Sequence, residues 1–197
     1  MINSCEKCRR AGEKLLLKGE KCLSPKCTFI KRPYPPGDHG QGFRGKQSEY
    51  GRQLREKQKA RRIYGISESQ FSRYVEKANT MAGNNSENLI RLLETRADNV
   101  VYRLGFASSR SMARQFVSHG LFNINGQKIK TPSLQVNVGV SIEPRKKVMF
   151  KEITLNSANT WLDVDTKKLT AKVKHLPVRD EIDTPIEENL IIEFYSR

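Results

Sequence analysis

The chain has 197 residues and carries 36 Lys and Arg against 21 Asp and Glu, a formal net charge of +15 with a pI of about 9.9. Such a length suits one large domain or two small ones, and no apolar run is long enough to cross a membrane. A surface this positive repels itself unless a polyanion neutralises it. Nucleic acid is therefore the expected partner, ahead of an anionic membrane. The lack of a signal peptide points to the cytosol, where thiols stay reduced. The surplus is uneven: residues 1–83 hold 19 basic and 8 acidic side chains, the remainder 17 and 13.

All four cysteines lie at the start, Cys5 and Cys8, then Cys22 and Cys27. Two close pairs separated by a loop are the pattern of a tetrahedral thiolate site, since each short turn aims two sulfurs at one metal. Zinc is the expected ion, with Lys7, Arg9, Lys21 and Lys26 offsetting the thiolate charge. An iron–sulfur cluster, disulfides and free thiols are the alternatives. With little apolar patterning around it, the segment is expected to fold only around the metal. The stretch RPYPPGDHG at 32–40 is too rich in Pro and Gly for helix or strand and reads as an extended, turn-rich path.

Ser48 caps a predicted helix reaching Tyr64 and closed by Gly65. Arg52, Arg55, Lys59 and Arg62 follow helical spacing down one side, and Leu54 and Ile63 supply little apolar surface. Like charges one turn apart destabilise a helix unless an anion lies against them, so RNA phosphate is expected on this face. Ser67 opens a second helix through a capping box with Gln70, burying Phe71, Tyr74, Val75 and Ala78 and ending near Gly83. Ser86 is the expected cap of a third helix, with Leu89, Ile90, Leu92 and Leu93 inside.

Residues 96–130 read as two short helices feeding a tight hairpin. Asp98 is the expected cap of the first, with Val100, Val101 and Leu104 as its apolar side. Ser108 or Ser109 opens the second, with Ala113, Phe116 and Val117 inward and Arg110 and Arg114 outward. Asn125-Gly126 between short alternating runs is a strong hairpin signal. Paired guanidiniums held in fixed geometry suit an RNA backbone, which is recognised mostly by shape and phosphate position. Beyond it, 134–138, 140–142, 161–165 and 169–174 alternate as strands. For 190–195 the β-branched content suits a strand and the Pro-then-acids opening suits a helix. No Gly-rich phosphate loop, metalloprotease motif or carboxylate pair marks an enzyme, and His39, His119 and His175 are far apart in sequence.

These features together resemble the bacterial family of small-subunit ribosomal protein S-four. The likeness rests on the cysteine spacing, the 32–40 stretch, LREKQK-RRIYG at 54–65, DNVVYRLGF at 98–106 and the closing EFYSR at 193–197. It implies direct binding of small-subunit ribosomal RNA at a multi-helix junction and nucleation of subunit assembly. It also implies contact with ribosomal protein S-five and other small-subunit proteins at an interface affecting decoding accuracy, and a place beside the path by which messenger RNA enters. In some members it implies repression of their own operon messenger RNA. A cytoplasmic, ribosome-bound, non-catalytic protein with no membrane contact is expected. The family has the aromatic-Gly-Pro opening and a common leucine at position 97, where this chain lacks the first and carries Ala97; the cysteine quartet is absent from part of the family.

The expected fold is α+β, with an extended zinc-binding segment at 1–45. A helical domain spans 46–86 and is completed by 180–197, for which the resemblance favours helix. A mixed domain spans 87–179, with a small antiparallel sheet and the RNA-binding helix-helix-hairpin module at 96–158. The zinc ligands are Cys5, Cys8, Cys22 and Cys27. The candidate RNA-binding residues are Arg32, Tyr34, His39, Arg44, Lys46, Arg52, Arg55, Lys57, Lys59, Arg61, Arg62, Arg103, Arg110, Arg114, His119 and Lys128.

Overall fold

The computed structural model describes residues 3–42, 46–150 and 159–196, so Arg44 and the 151–158 end of the expected module lie outside the described residues. Among those described, nine α-helices and one five-stranded antiparallel sheet surround two hydrophobic cores, as the expected α+β class requires.

The helical core is built from α4 (Glu49–Tyr64), α5 (Glu68–Thr80), α6 (Asn85–Glu94) and α9 (Glu188–Tyr195). Ser48 caps α4 by accepting the Gly51 N–H at 3.2 Å, and Gly65 closes it with a left-handed φ of 65°. Ser67 caps α5 through the Gln70 N–H at 3.3 Å. Asn84, not Ser86, caps α6, because its carbonyl oxygen reaches the Ser86 N–H. Phe71, Val75 and Ala78 sit at helical spacing and bury with Leu89, Ile90, Leu92 and Leu93. So α6 packs with the helices, although the expected boundary at residue 87 assigns it to the mixed part. The 190–195 stretch is helical. It lies against α4 and α6, and Ile182, Ile186 and Ile191 complete this core.

The N-terminal segment is neither extended nor coreless, which corrects the expectation. It forms α1 (Ser4–Ala11), α2 (Glu20–Leu23) and α3 (Thr28–Lys31). Cys8 and Leu15 bury in the helical core, with Ala11, Leu17 and Phe29 packed against it. These apolar groups come one or two at a time from separate turns, and α1 packs on both α3 and α4, so no periodicity announces them. Gly19, at φ 55°, passes so close to the next core that a Cβ there would lie 2.4 Å from the Ser108 carbonyl oxygen.

The mixed core joins α7 (Ala97–Arg103) and α8 (Arg110–Ser118) to strands β1 (Phe122–Ile124), β2 (Gln127–Lys128), β3 (Ser141–Pro144), β4 (Leu162–Asp165) and β5 (Thr170–Val173). Their order is β2-β1-β3-β5-β4. Asn125 and Gly126 take the positive φ values, 48° and 78°, that the tight hairpin needs, pairing Asn123 with Lys128. Phe106, Phe122, Phe150 and Trp161 fill the interior, with Phe106 edge-on to both other phenylalanines.

The alternation at 134–138 does not produce a ladder strand. Only an isolated bridge joins Gln135 to Arg96. The backbone here closes the start of α7 instead: the Leu134 and Pro132 carbonyls accept from the Ala97 and Asp98 N–H groups at 2.8 and 3.1 Å. The alternating pattern records only that Val136 is buried between more exposed neighbours.

Since Leu15 is 4% exposed and helps fasten the N-terminal segment to α4, Leu15→Ala is expected to lower stability by about 2–5 kcal/mol. The same change should speed labelling of the buried thiols by a maleimide reagent, read by mass spectrometry against the parent chain.

Candidate nucleic-acid interface

Between the two cores sits Glu94, the last residue of α6, with no exposed surface. Its carboxylate accepts the Tyr64 hydroxyl at 2.6 Å, the Asn99 amide at 2.7 Å and the Arg103 guanidinium at 2.8 and 2.9 Å. Arg103 in turn donates to Asp183 and Thr184 of the C-terminal segment. Burial alone would raise the Glu94 pKa, but the hydrogen bonds and charge of Arg103, with Arg110 and Tyr64, bring it down to about 2. Beside it, Arg96 is wholly buried, paired with Asp98 at 2.6 Å and donating to the Tyr74 hydroxyl at 2.7 Å.

This arrangement sorts the candidate cations. Arg103 belongs to the Glu94 pair. Arg110 is half-buried, lying 4.5 Å over the Tyr102 ring and 5.1 Å over that of Tyr64, and donating to Asn99 at 2.7 Å. Lys57 is buried, paired with Glu68 and set 4.7 Å over the Phe194 ring. Lys59 pairs with Glu13 at 2.8 Å and Glu56 at 3.3 Å, and Arg61 with Glu68 at 2.9 Å. Tyr34 is half-buried beneath Arg9. These groups hold the fold together.

Others face solvent. Arg32, His39, Lys46, Arg55, His119 and Lys128 are exposed. Arg52 keeps only a loose 3.9 Å pairing with Glu49, and Arg114 lies 3.5 Å from Asp98 while 45% of its side chain is exposed. Lys128 passes so close to Gly120 that any Cβ there would meet its side chain at 2.3 Å, which places the lysine over the end of α8. Two further groups, Arg10 and Gln58, face the same groove as Arg55 and Arg62 and are absent from the sequence-derived candidates. The Arg9-Arg10 doublet is the one sequence signal that hints at the first.

The zinc site is corrected. Among the described residues no group of three or more His, Cys, Asp or Glu side chains could hold a metal ion, so neither zinc nor an iron–sulfur cluster fits. No disulfide forms either. Cys8, Cys22 and Cys27 are buried, and with Cys5 they face a small crevice beside Leu17 and Phe29. Burial, with nearby thiol groups, pushes the Cys8 thiol up, favouring its neutral form. The cysteines serve as small apolar side chains.

Comparison with known proteins shows the family. Residues 3–94 match the ribosomal protein S4/S9 N-terminal domain, and residues 95–142 match the S4 domain. The chain is 54% identical to the small ribosomal subunit protein uS4 of Syntrophomonas wolfei over 98% of its length and 96% of that relative. It is 52% identical to the protein of the same name from Clostridioides difficile, over 98% and 97%. The chain belongs to the ribosomal protein S4 family. That family is structural rather than catalytic. Its two domain matches meet at Glu94, the residue whose carboxylate ties the two cores together.

The S4-family seam has a pH signature. A carboxylate held near 2 in the folded chain, against an ordinary value of 4.5, contributes stability above pH 4.5 that is lost as pH falls toward 2. Glu94→Gln is expected to lower stability by about 3–5 kcal/mol, because it leaves Arg103 without its buried charge partner and only the exposed Asp183 beside it. Denaturant titrations across that window should show a shallower loss with falling pH in the variant than in the parent chain.

Proposed function

We propose that this chain is a structural component of the small ribosomal subunit in the cytoplasm and binds small-subunit ribosomal RNA directly. The observation that carries this reading is the division of its cations within an S4-family fold. One set is consumed by Glu94, Glu68, Glu56, Glu13 and Asp98, and another stands in solvent. Of the latter, Arg52 and Arg114 keep only longer pairings with Glu49 and Asp98, and the rest have no ion-pair partner among the described residues. A protein that keeps an unneutralised positive surface while burying other cations in ion pairs is shaped for a polyanion.

The contacts assigned to RNA are the solvent-facing groups Arg32, His39, Lys46, Arg52, Arg55, Arg62, Arg114, His119 and Lys128. Tyr34, Lys57, Lys59, Arg61, Arg103 and Arg110 position them. Free cations on both cores suit a folded junction gripped from two sides, where shape and phosphate position carry recognition. The family resemblance extends this reading to nucleation of subunit assembly, to contact with ribosomal protein S-five that tunes decoding accuracy, and to a place beside incoming messenger RNA. It extends it further to binding of the chain's own operon message.

Affinity for a small-subunit ribosomal RNA transcript, measured by filter binding, is expected to fall steeply with salt. With six to ten phosphate contacts the loss between 50 and 200 mM would be about 10³ to 10⁵-fold. Binding that barely responds to salt would remove the electrostatic basis of the assignment.

A further inference from the structure

A groove of about 670 Å³ lies between α4 and the turn at 35–42, lined by Arg10, Arg55 and Arg62 together with Asp38, His39 and Gln58. Three guanidiniums from two separate segments thus converge on one space. Among the described residues none of the three has a hydrogen-bond or ion-pair partner. Their neighbours in sequence do: Arg9 donates to the Tyr34 and Pro35 carbonyls at 2.8 and 3.2 Å, and Arg61 pairs with Glu68. Arg62 is half-buried, and burial followed by the nearby charges of Arg61 and Arg10 pulls its pKa down. Like charges pressed together without a counter-ion are a cost to the free chain.

The turn is built to stay in place. Arg9 fastens it from behind, and Gly40 lets it close so tightly that a Cβ would lie 2.1 Å from the Pro35 carbonyl oxygen. The groove also exceeds what one phosphate needs; its volume falls in the ~300–1,000 Å³ range of pockets that bury whole small ligands. Leu54, Pro35 and Pro36 give it apolar walls. Asp38 and Gln58 offer the acceptor and donor groups that read base edges.

We propose that this groove holds one unstacked nucleotide of the RNA, its phosphate among Arg10, Arg55 and Arg62 and its base edge against Asp38 and Gln58. The inference rests on the RNA-binding reading above and adds to it a nucleotide-sized seat. An extruded base is the form in which RNA offers its edges for hydrogen bonding. The acid in the lining, adverse to a bare phosphate, favours a base presenting an amino group.

The test uses the full chain and a small-subunit ribosomal RNA transcript, with Lys77→Gln on the exposed side of α5 as control. Arg62→Gln is expected to weaken binding about tenfold and to make the salt slope shallower by about one. Its Tm should be no lower than the parent's, since the residue has no partner to lose. Asp38→Asn decides between a nucleotide and a backbone phosphate alone. Weaker binding supports base reading; equal or tighter binding, from removing an acid beside phosphate, overturns it. If Arg62→Gln binds like Lys77→Gln while the parent keeps its steep salt dependence, the seat is wrong and the RNA-binding reading stands. If the parent does not bind at all, both fail.

Discussion

The buried pair of Glu94 and Arg103 is the constraint on which the rest of this structure depends. Removing two charges from water is expensive, and their attraction offsets that only when the remaining polar atoms are also satisfied. Here they are: Tyr64 comes from α4, Asn99 and Arg103 from α7, Thr184 and Asp183 from the C-terminal segment. These partners come from three parts of the fold, with Asp183 accepting from Arg103, so the pair is satisfied only when both cores and the tail are assembled together. A buried polar group with all its partners specifies one arrangement, because any slip leaves a donor or acceptor unpaired. The two family domains are thereby fixed relative to one another rather than strung on a linker.

That fixing decides which cations remain for RNA. A helix with basic residues at i, i+3 and i+7 looks like one charged face, yet α4 is buried along Gln53, Glu56, Lys57, Ala60 and Ile63. These positions have the spacing of an amphipathic helix, with charged side chains where apolar ones are usual. Glu68 and the rings of Phe194 and Tyr195 cover Lys57, so its ammonium is neutralised and desolvated at once. The face left over carries Arg55 and Arg62. Charge at the surface is therefore a remainder, set after internal pairing is complete.

This is also why part of the molecule was legible in the sequence and part was not. Caps, stops and apolar periodicity are local, and Ser48, Ser67, Gly65 and Asn125-Gly126 do in space what their spacing announces. The burial of Lys57 and Lys59 could not be read in the same way: Glu56 lies one turn from Lys59, but Glu68 and Glu13 come from other elements and no spacing rule links them. The 134–138 run failed for a related reason: alternation reports which side chains are buried, whereas the identity of the backbone partner is a tertiary fact. The cysteine quartet was the sharpest misreading. Paired cysteines fit a thiolate site in the sequence alone, but Leu15, Leu17 and Phe29 supply a core that their scattered positions conceal.

The docked N-terminal segment shows what the surplus charge is for in energetic terms. Apolar contacts of Leu15, Leu17 and Phe29, with the Arg9 bonds to the turn, hold the segment on α4. Docking at the same time brings Arg10 toward Arg62, which opposes it. An anion placed between those guanidiniums removes the opposition, so binding the anion and docking the segment favour each other. By linkage the favour is reciprocal: whatever strengthens docking strengthens anion affinity by the same factor. Salt that screens the repulsion between Arg10 and Arg62 relieves that cost in the free chain while weakening its grip on phosphate, since the same cations are counted in both equilibria. The docking of the N-terminal segment and the affinity for RNA are therefore coupled through the same arginines, which the interior leaves unmatched. The Glu13–Lys59 pair that also holds the segment on α4 is screened by salt in the opposite sense.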